Sequence, residues 1–129
     1  MRAVKSGIVE LFVNEWVLAE LADVLWRPAV RRRFPRLTPQ GCEEFLCSVR
    51  DLGKPVDACG LGLRYARDPR DLPYLELAIQ SRAQFLVTRD ADLLSIPAST
   101  DPEAIRIREL APDLRIVDPT QFLAAILTR

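Results

Sequence analysis

Four aspartates lie near the two ends of one predicted helix-and-strand segment, RDPRDLPYLELAIQSRAQFLVTRDADLL, which covers residues 67–94. Asp68 and Asp71 precede the predicted helix, and Asp90 and Asp92 follow the predicted strand. Carboxylates that converge from separate elements can hold a hard divalent cation such as Mg²⁺ or Mn²⁺, because these ions prefer oxygen ligands. The chain contains no histidine, which excludes His-based zinc sites and nucleophiles activated by a histidine.

Each acid also has a purely structural interpretation. Asp68, Asp71 and Asp92 stand where aspartates commonly cap helices or hydrogen-bond within turns. Asp90 is harder to explain in this way, because a strand-end Thr-x-Asp has no predicted helix of its own to cap. It also stands beyond the carboxyl end of a strand, where parallel sheets bind their ligands. Glu20 lies beside the apolar stripe of its predicted helix, where it can pair with an arginine or converge with the aspartates.

The sequence contains one dense basic cluster, formed by Arg27, Arg31, Arg32, Arg33 and Arg36. It can be a solvated connector, or it can contact the phosphate backbone of a nucleic acid. Lys+Arg and Asp+Glu both number 18, which gives a net charge of zero. The chain therefore has no strong overall field for a polyanion, and any such contact has to come from this local cluster.

Length and composition predict one soluble domain over residues 1–129. The hydrophobic fraction is 49% and the charged fraction 28%, which is ordinary for a globular protein. Cys42, Cys47 and Cys59 form no C-x-x-C pair and are predicted to be buried small hydrophobes in a reducing compartment. No apolar run approaches the length of a membrane span and no signal peptide is recognisable, so we expect a cytoplasmic protein.

Predicted strands alternate with predicted helices along the chain, which is typical of a parallel sheet with crossover helices. Strands are predicted at 7–13, 54–58, 84–88 and 114–117, and helices at 15–26, 40–53, 72–83, 100–110 and 118–129. The arginines of RRRF, residues 31–34, are predicted to lie in a connector, and Phe45, Leu46 and Val49 to form the inner face of the second helix. The fold class is therefore a three-layer α/β domain with a small, mainly parallel sheet flanked by helices.

Three segments together resemble the PIN-domain family: VLAELADVLWRPAVRRRF, RDPRDLPYLELAIQSRAQFLVTRDADLL and LRIVDPTQFLAAIL. The resemblance is greatest to the bacterial branch of toxins from toxin–antitoxin pairs. It implies a Mg²⁺- or Mn²⁺-dependent endoribonuclease, with RNA as substrate and an antitoxin protein as a partner. It also implies that Glu20, Asp71 and Asp90 are the catalytic and metal-binding acids. The resemblance gives supporting roles to Asp68, Thr88 and Asp92. With RNA as the substrate, the basic cluster predicts RNA contacts by Arg27, Arg31, Arg32 and Arg33.

The sequence departs from the family pattern at its amino end. Family members open with a strand that ends in Asp-x-Asn, whereas this sequence opens with MRAVKSG. We therefore expect a domain that is N-terminally truncated relative to the family, with one carboxylate fewer and weaker metal binding. A sheet without that strand would expose an edge, which favours a homodimer. The alternative function is a catalytically degenerate interaction module that binds an antitoxin or itself; a receiver-like phosphotransfer domain is a weaker third interpretation.

Overall fold

The computed structural model describes residues 7, 9–36, 38–56 and 63–127. The chain divides into two compact units, Met1–Ala58 and Cys59–Arg129. Strands in the described residues form two sheets of two strands each, and both pairs are parallel. The predicted α/β class with parallel strands is thus confirmed. No helix among the described residues is long and apolar enough to cross a membrane.

The described residues of the first unit form two short strands and three helices. They are β1 (Leu11–Val13), α1 (Glu15–Leu25), α2 (Pro28–Arg33), α3 (Pro39–Leu52) and β2 (Gly53–Pro55). Asn14 begins α1 by accepting a hydrogen bond from the backbone N–H of Val17 at 2.8 Å, and Thr38 begins α3 in the same way through Gly41. Phe12 of β1 lies opposite Lys54 of β2. These caps match the helix starts that the polar residues predict.

The core of the first unit is small, and it differs in detail from the predicted one. Val13, Leu18 and Val49 form the buried cluster. Phe45, predicted to face inward, is 41% exposed. Cys42 is buried as predicted, but Cys47 is exposed, so that part of the cysteine prediction is wrong; Cys59 lies outside the described residues. Cys47 stands two positions before the buried Val49, so its side chain points away from the helix face that Val49 occupies.

Residues 31–33 are helical, so the prediction of a connector at this point is wrong. Pro28 occupies the first turn of α2, where its missing N–H costs nothing and its fixed φ suits a helix. Alanine and arginine, which follow it, are good helix formers. None of the six residues of α2 is buried. The helix propensity of its residues and a proline in the first turn therefore account for this helix. Its sequence has no apolar periodicity that would predict it.

The second unit begins with a 3-10 turn, Pro69–Asp71, which leads directly into a helix. The elements that follow are α4 (Leu72–Gln80), β3 (Phe85–Val87), α5 (Ala91–Ser95), a 3-10 turn (Ile96–Ala98), α6 (Pro102–Leu110), β4 (Arg115–Val117) and α7 (Pro119–Leu127). Leu86 of β3 lies opposite Ile116 of β4. The predicted helices and strands of this half are all present, with ends shifted by a few residues, and α5 is additional.

The core of the second unit supports the loops that carry the aspartates. Its buried members are Tyr65, Leu75, Leu93, Ile96, Ala104, Ile107 and Ile116. The Tyr65 hydroxyl donates to the backbone carbonyl of Asp92 at 2.7 Å. The Arg108 guanidinium donates to the carbonyls of Ile96 and Ser99 at 2.6 and 2.7 Å. These contacts tie the segment after β3 to the core, so the backbone around Asp90 is held from two sides.

Candidate metal centre

Three aspartates converge in the second unit. Asp68, Asp71 and Asp90 each offer one carboxylate oxygen, and these oxygens all lie within 4.8 Å of one another. Asp68 and Asp71 stand at the two ends of the 3-10 turn that precedes α4. Asp90 follows β3 and precedes α5. Chain positions about twenty residues apart are thus brought to one point by a turn and by the end of a strand.

Asp68 is held by its neighbour Arg70. Its side chain accepts from the backbone N–H of Arg70 at 3.1 Å and from the guanidinium Nε at 3.2 Å. The hydrogen bonds from Arg70 lower the pKa of the Asp68 carboxyl below its ordinary value. Asp68 therefore caps the turn, as its structural interpretation predicts, and remains ionised while it does so.

Asp71 has no such partner. It is only 8% exposed, and its Oδ2 atom is buried without a hydrogen-bond partner among the described residues. It stands at the N-cap position of α4, yet its side chain makes no capping hydrogen bond. Capping, the structural interpretation of this residue, is therefore wrong. Burial, and secondarily the charge of Asp90, raise the pKa of the Asp71 carboxyl to about 6. A buried carboxylate without donors is costly, and a cation would supply the partner it lacks.

Asp90 is fixed at both its backbone and its side chain. Its N–H donates to Thr88 Oγ1 at 3.0 Å, and its Oδ1 accepts from the N–H of Asp92 at 2.8 Å. It thereby caps α5, so the inference that no helix follows this aspartate is wrong. Five helical residues are too few to produce a recognisable periodicity. Thr88 and α5 together set the direction of the Asp90 carboxylate.

Asp92 is engaged elsewhere. Its Oδ1 lies 2.9 Å from Arg67 Nε, and another nitrogen of the same guanidinium donates to Ser95 Oγ at 2.9 Å. Asp92 is also absent from the three-acid cluster formed by the described residues. The ion pair between Asp92, in the first turn of α5, and Arg67 therefore accounts for this acid.

The sequence profile described as PIN domain matches residues 1–92. The chain belongs to the PIN domain family. The match covers well over half of the chain and includes all three clustered aspartates. No curated protein and no solved structure shows a significant match. PIN domains are typically metal-dependent nucleases that act on nucleic acid, and an acidic cluster is present in this one.

Glu20, the PIN-domain glutamate suggested by the resemblance, belongs to the first unit. Its Oε1 lies 3.5 Å from Arg27 Nη2, which also contacts Asp23 Oδ2 at 3.0 Å. The pairing with an arginine, one of its two interpretations, is thus observed. Arg27 is occupied by these acids, whereas Arg31, Arg32 and Arg33 lie on α2. The structure groups Asp71 and Asp90 with Asp68, and it places Glu20 in the other unit.

The donor set of this PIN domain suits a hard divalent cation. Three carboxylates are present, and no donor among the described residues competes for the Oδ2 of Asp71. Mg²⁺ and Mn²⁺ take such oxygen ligands. Asp68, assigned only a supporting role from the sequence, therefore becomes a candidate ligand. The spacing of Asp-Pro-Arg-Asp could have predicted this role, because a tight turn brings two acids three positions apart to the same side.

The raised pKa of Asp71 predicts how stability changes with pH when no metal is bound. Its folded pKa of about 6 exceeds the ordinary value of 3.8, so the folded state binds more protons than the unfolded state between these values. The contribution of this group to stability therefore falls as pH rises through that window. Between about pH 4 and 7, we expect the wild type to lose on the order of 2–3 kcal/mol relative to Asp71→Asn.

Urea unfolding of both proteins across this range, with a chelator present, measures that difference. Asp101→Asn serves as the control, because Asp101 also precedes a helix without making a side-chain capping bond but is exposed. Its profile should run parallel to that of the wild type. Parallel profiles for Asp71→Asn as well would contradict the proposed burial of the Asp71 charge.

Proposed function

We propose that this PIN domain is a metal-dependent endoribonuclease whose site is built on Asp71, Asp90 and Asp68. The observation that supports this most strongly is the buried, unpartnered Oδ2 of Asp71 inside a group of three carboxylates. A buried charge is retained in proteins where a partner compensates it, and here the described side chains provide none. Mg²⁺ or Mn²⁺ bound there would activate water and stabilise charge on the scissile phosphate.

The protein's own residues supply orientation. Thr88 and the N–H of Asp92 hold Asp90, and Arg70 holds Asp68. The backbone N–H of Asp71 donates to the Asp68 carbonyl at 3.0 Å, which fixes the turn that joins the two acids. Ligands held by such outer contacts present a defined geometry to an ion. The site is therefore preorganised on the turn and on the cap of α5.

The role of Glu20 stays a prediction from the family resemblance, and Glu20→Gln tests it. If Glu20 serves the metal, the variant should bind Mn²⁺ more weakly by roughly 10-fold or more, because a charged ligand becomes a neutral one. If Glu20 only pairs with Arg27, metal affinity should not change and stability should change by less than about 1 kcal/mol. Calorimetric titration of Mn²⁺ into wild type and variant distinguishes the two, and Asp23→Asn is the matched control for loss of an Arg27 partner.

We further propose that the protein is the toxin of a toxin–antitoxin pair and that residues 1–129 act as one PIN-like domain. This proposal is supported by three segments, which begin at Val17, Arg67 and Leu114 and resemble that branch of the family. Expression of the wild type alone should inhibit growth, and co-expression of an antitoxin protein that binds it should restore growth. Growth unaffected by wild type and by Asp90→Asn alike would contradict the toxin role.

One observation favours the alternative, a PIN-like interaction module that binds an antitoxin or a second copy of itself. None of the side chains of α7 described in the structure is buried, and Leu123 and Leu127 are 54% and 79% exposed. Apolar residues four positions apart share one helix face, and such a face is a common feature of association sites. Sedimentation of wild type against Leu123→Glu tests the homodimer directly.

A further inference from the structure

The short helix α2 carries an exposed aromatic ring beyond each of its ends. Trp26 precedes the helix and is 42% exposed; Phe34 follows it and is 54% exposed. The Arg31 guanidinium lies 5.2 Å from the centroid of the Trp26 ring, and the Arg33 guanidinium 5.8 Å from that of Phe34. We call these residues, together with Arg32, the α2 surface. Its rings are held near cations instead of being buried in the core.

The described acids do not compensate the positive charge of this surface. Between residues 24 and 42 the sequence contains five arginines and no aspartate or glutamate. Arg27 is paired with Asp23 and Glu20. Among the described residues, no carboxylate lies within ion-pair distance of Arg31, Arg32 or Arg33. Arg32 and Arg33 are exposed and Arg31 is half-buried, so three consecutive cations lack an acidic partner among the described residues of a chain whose net charge is zero.

We propose that the α2 surface binds single-stranded RNA, with unpaired bases stacked on Trp26 and Phe34 and phosphates contacted by Arg31, Arg32 and Arg33. Aromatic rings interleaved with cations are the usual means of holding a single strand, because every base has a π-face. The choice of RNA rests on the proposed ribonuclease function. The stacking itself rests on the exposure of the rings.

A paired strand does not fit this surface as well as an unpaired one. In a duplex the base faces are stacked on one another and are unavailable to side chains. A protein partner fits less well too, because the buried centre of a protein interface is depleted of charge, whereas this surface carries three uncompensated arginines. Arginine stacked on a ring also keeps N–H groups at its edge for phosphate. Single-stranded RNA offers unpaired bases to the rings and phosphates to the arginines.

Fluorescence anisotropy of a short labelled, unstructured RNA tests the stacking. The full chain is titrated with a chelator present, so that cleavage cannot interfere. The double variant Trp26→Leu, Phe34→Leu should bind roughly 10- to 1,000-fold more weakly than wild type. Trp26→Phe should retain most of the affinity, because it keeps a ring. Phe45→Leu, at a position 41% exposed on α3, is the matched control and should bind as wild type does.

Salt dependence tests the charges separately. Each phosphate contact contributes about 0.7 to the slope of log affinity against log salt concentration for a single strand. The triple variant Arg31→Ala, Arg32→Ala, Arg33→Ala should therefore flatten the slope by roughly 2. The double aromatic variant should leave the slope unchanged, and so should Arg50→Ala, which removes an exposed arginine of α3.

Three results would overturn the proposal. They are wild-type affinity in the double aromatic variant, binding of duplex RNA that is equally sensitive to that variant, and no binding of single strands by the wild type. The RNA affinity of Asp71→Asn distinguishes a failure of this proposal from a failure of the ribonuclease proposal. If the variant binds RNA normally and the wild type never cleaves it, the surface stands and the nuclease function fails. If the wild type cleaves RNA and the α2-surface variants cleave and bind it equally well, the nuclease function stands and the α2-surface proposal fails.

Discussion

Millimolar Mn²⁺ is expected to raise the melting temperature of the wild-type protein. When no ion is bound, Asp71 is buried beside Asp90 and Asp68, and burial together with the Asp90 charge raises its pKa. An ion that binds only the folded state relieves this repulsion. With the ion in ~10- to 100-fold excess over its dissociation constant, the gain is about 1–3 kcal/mol. For a domain of this size, each kcal/mol corresponds to roughly 3–6 °C.

Asp71→Asn should remove most of that gain and should itself stabilise the metal-free protein near neutral pH, because the buried charge is gone. Asp101→Asn, the exposed aspartate before α6, should respond to Mn²⁺ as the wild type does. Scanning calorimetry with and without the ion measures all three proteins. We expect a smaller response to Mg²⁺ than to Mn²⁺. An unchanged melting temperature with either ion would contradict a metal site at these aspartates and would favour the interaction module.

Asp90→Asn is expected to abolish metal-dependent cleavage of single-stranded RNA. The substitution keeps the oxygen that caps α5 through the N–H of Asp92, so the local fold should survive. It removes the negative charge that a divalent ion requires from its ligands. Losing a group that supports transition-state charge in this way costs on the order of 10²-fold or more in rate. Cleavage of a labelled RNA in Mn²⁺, followed on denaturing gels, measures the loss.

The cleavage experiment has a matched control in Asp92→Asn. Asp92 is paired with Arg67 and lies outside the cluster of three, so its loss should reduce the rate far less than the loss of Asp90. Equal rates for wild type and Asp90→Asn would show that the cleavage comes from another site or from a contaminant. Absence of cleavage by the wild type, together with a positive metal response, would indicate a metal-binding but catalytically inactive PIN domain.

The exposed end of α7 and the α2 surface illustrate what a family match leaves open. Residues 1–92 match the PIN domain profile, whereas α7 (Pro119–Leu127) lies beyond the matched stretch. The exposure of its leucines is therefore a feature that the matched stretch does not include. The arginines of α2 lie inside the match, but the match alone does not show that Arg31 and Arg33 lie beside the rings of Trp26 and Phe34.

Local sequence signals were sufficient for the long helices and for the fold class. The helices predicted at 40–53 and 118–129 are present as Pro39–Leu52 and Pro119–Leu127. Each begins with a proline that follows a threonine or an aspartate, and such signals act over three or four residues. The alternation of apolar strands with helices predicted parallel pairing, which both sheets show. The family could likewise be recognised from residues 67–94. Each of these signals lies within one continuous stretch of chain.

Only the tertiary structure decided what each acid does. In the sequence, Asp68, Asp71 and Asp90 all read as acids beside an element end, and capping explained the first two equally well. Folding gave Asp68 the N–H of Arg70 and gave Asp90 the N–H of Asp92, but it buried the Oδ2 of Asp71 with no donor from the part of the chain that the structure describes. Burial and the distance to another charge depend on residues remote in the chain, and these two quantities set the pKa and the partner of a carboxylate.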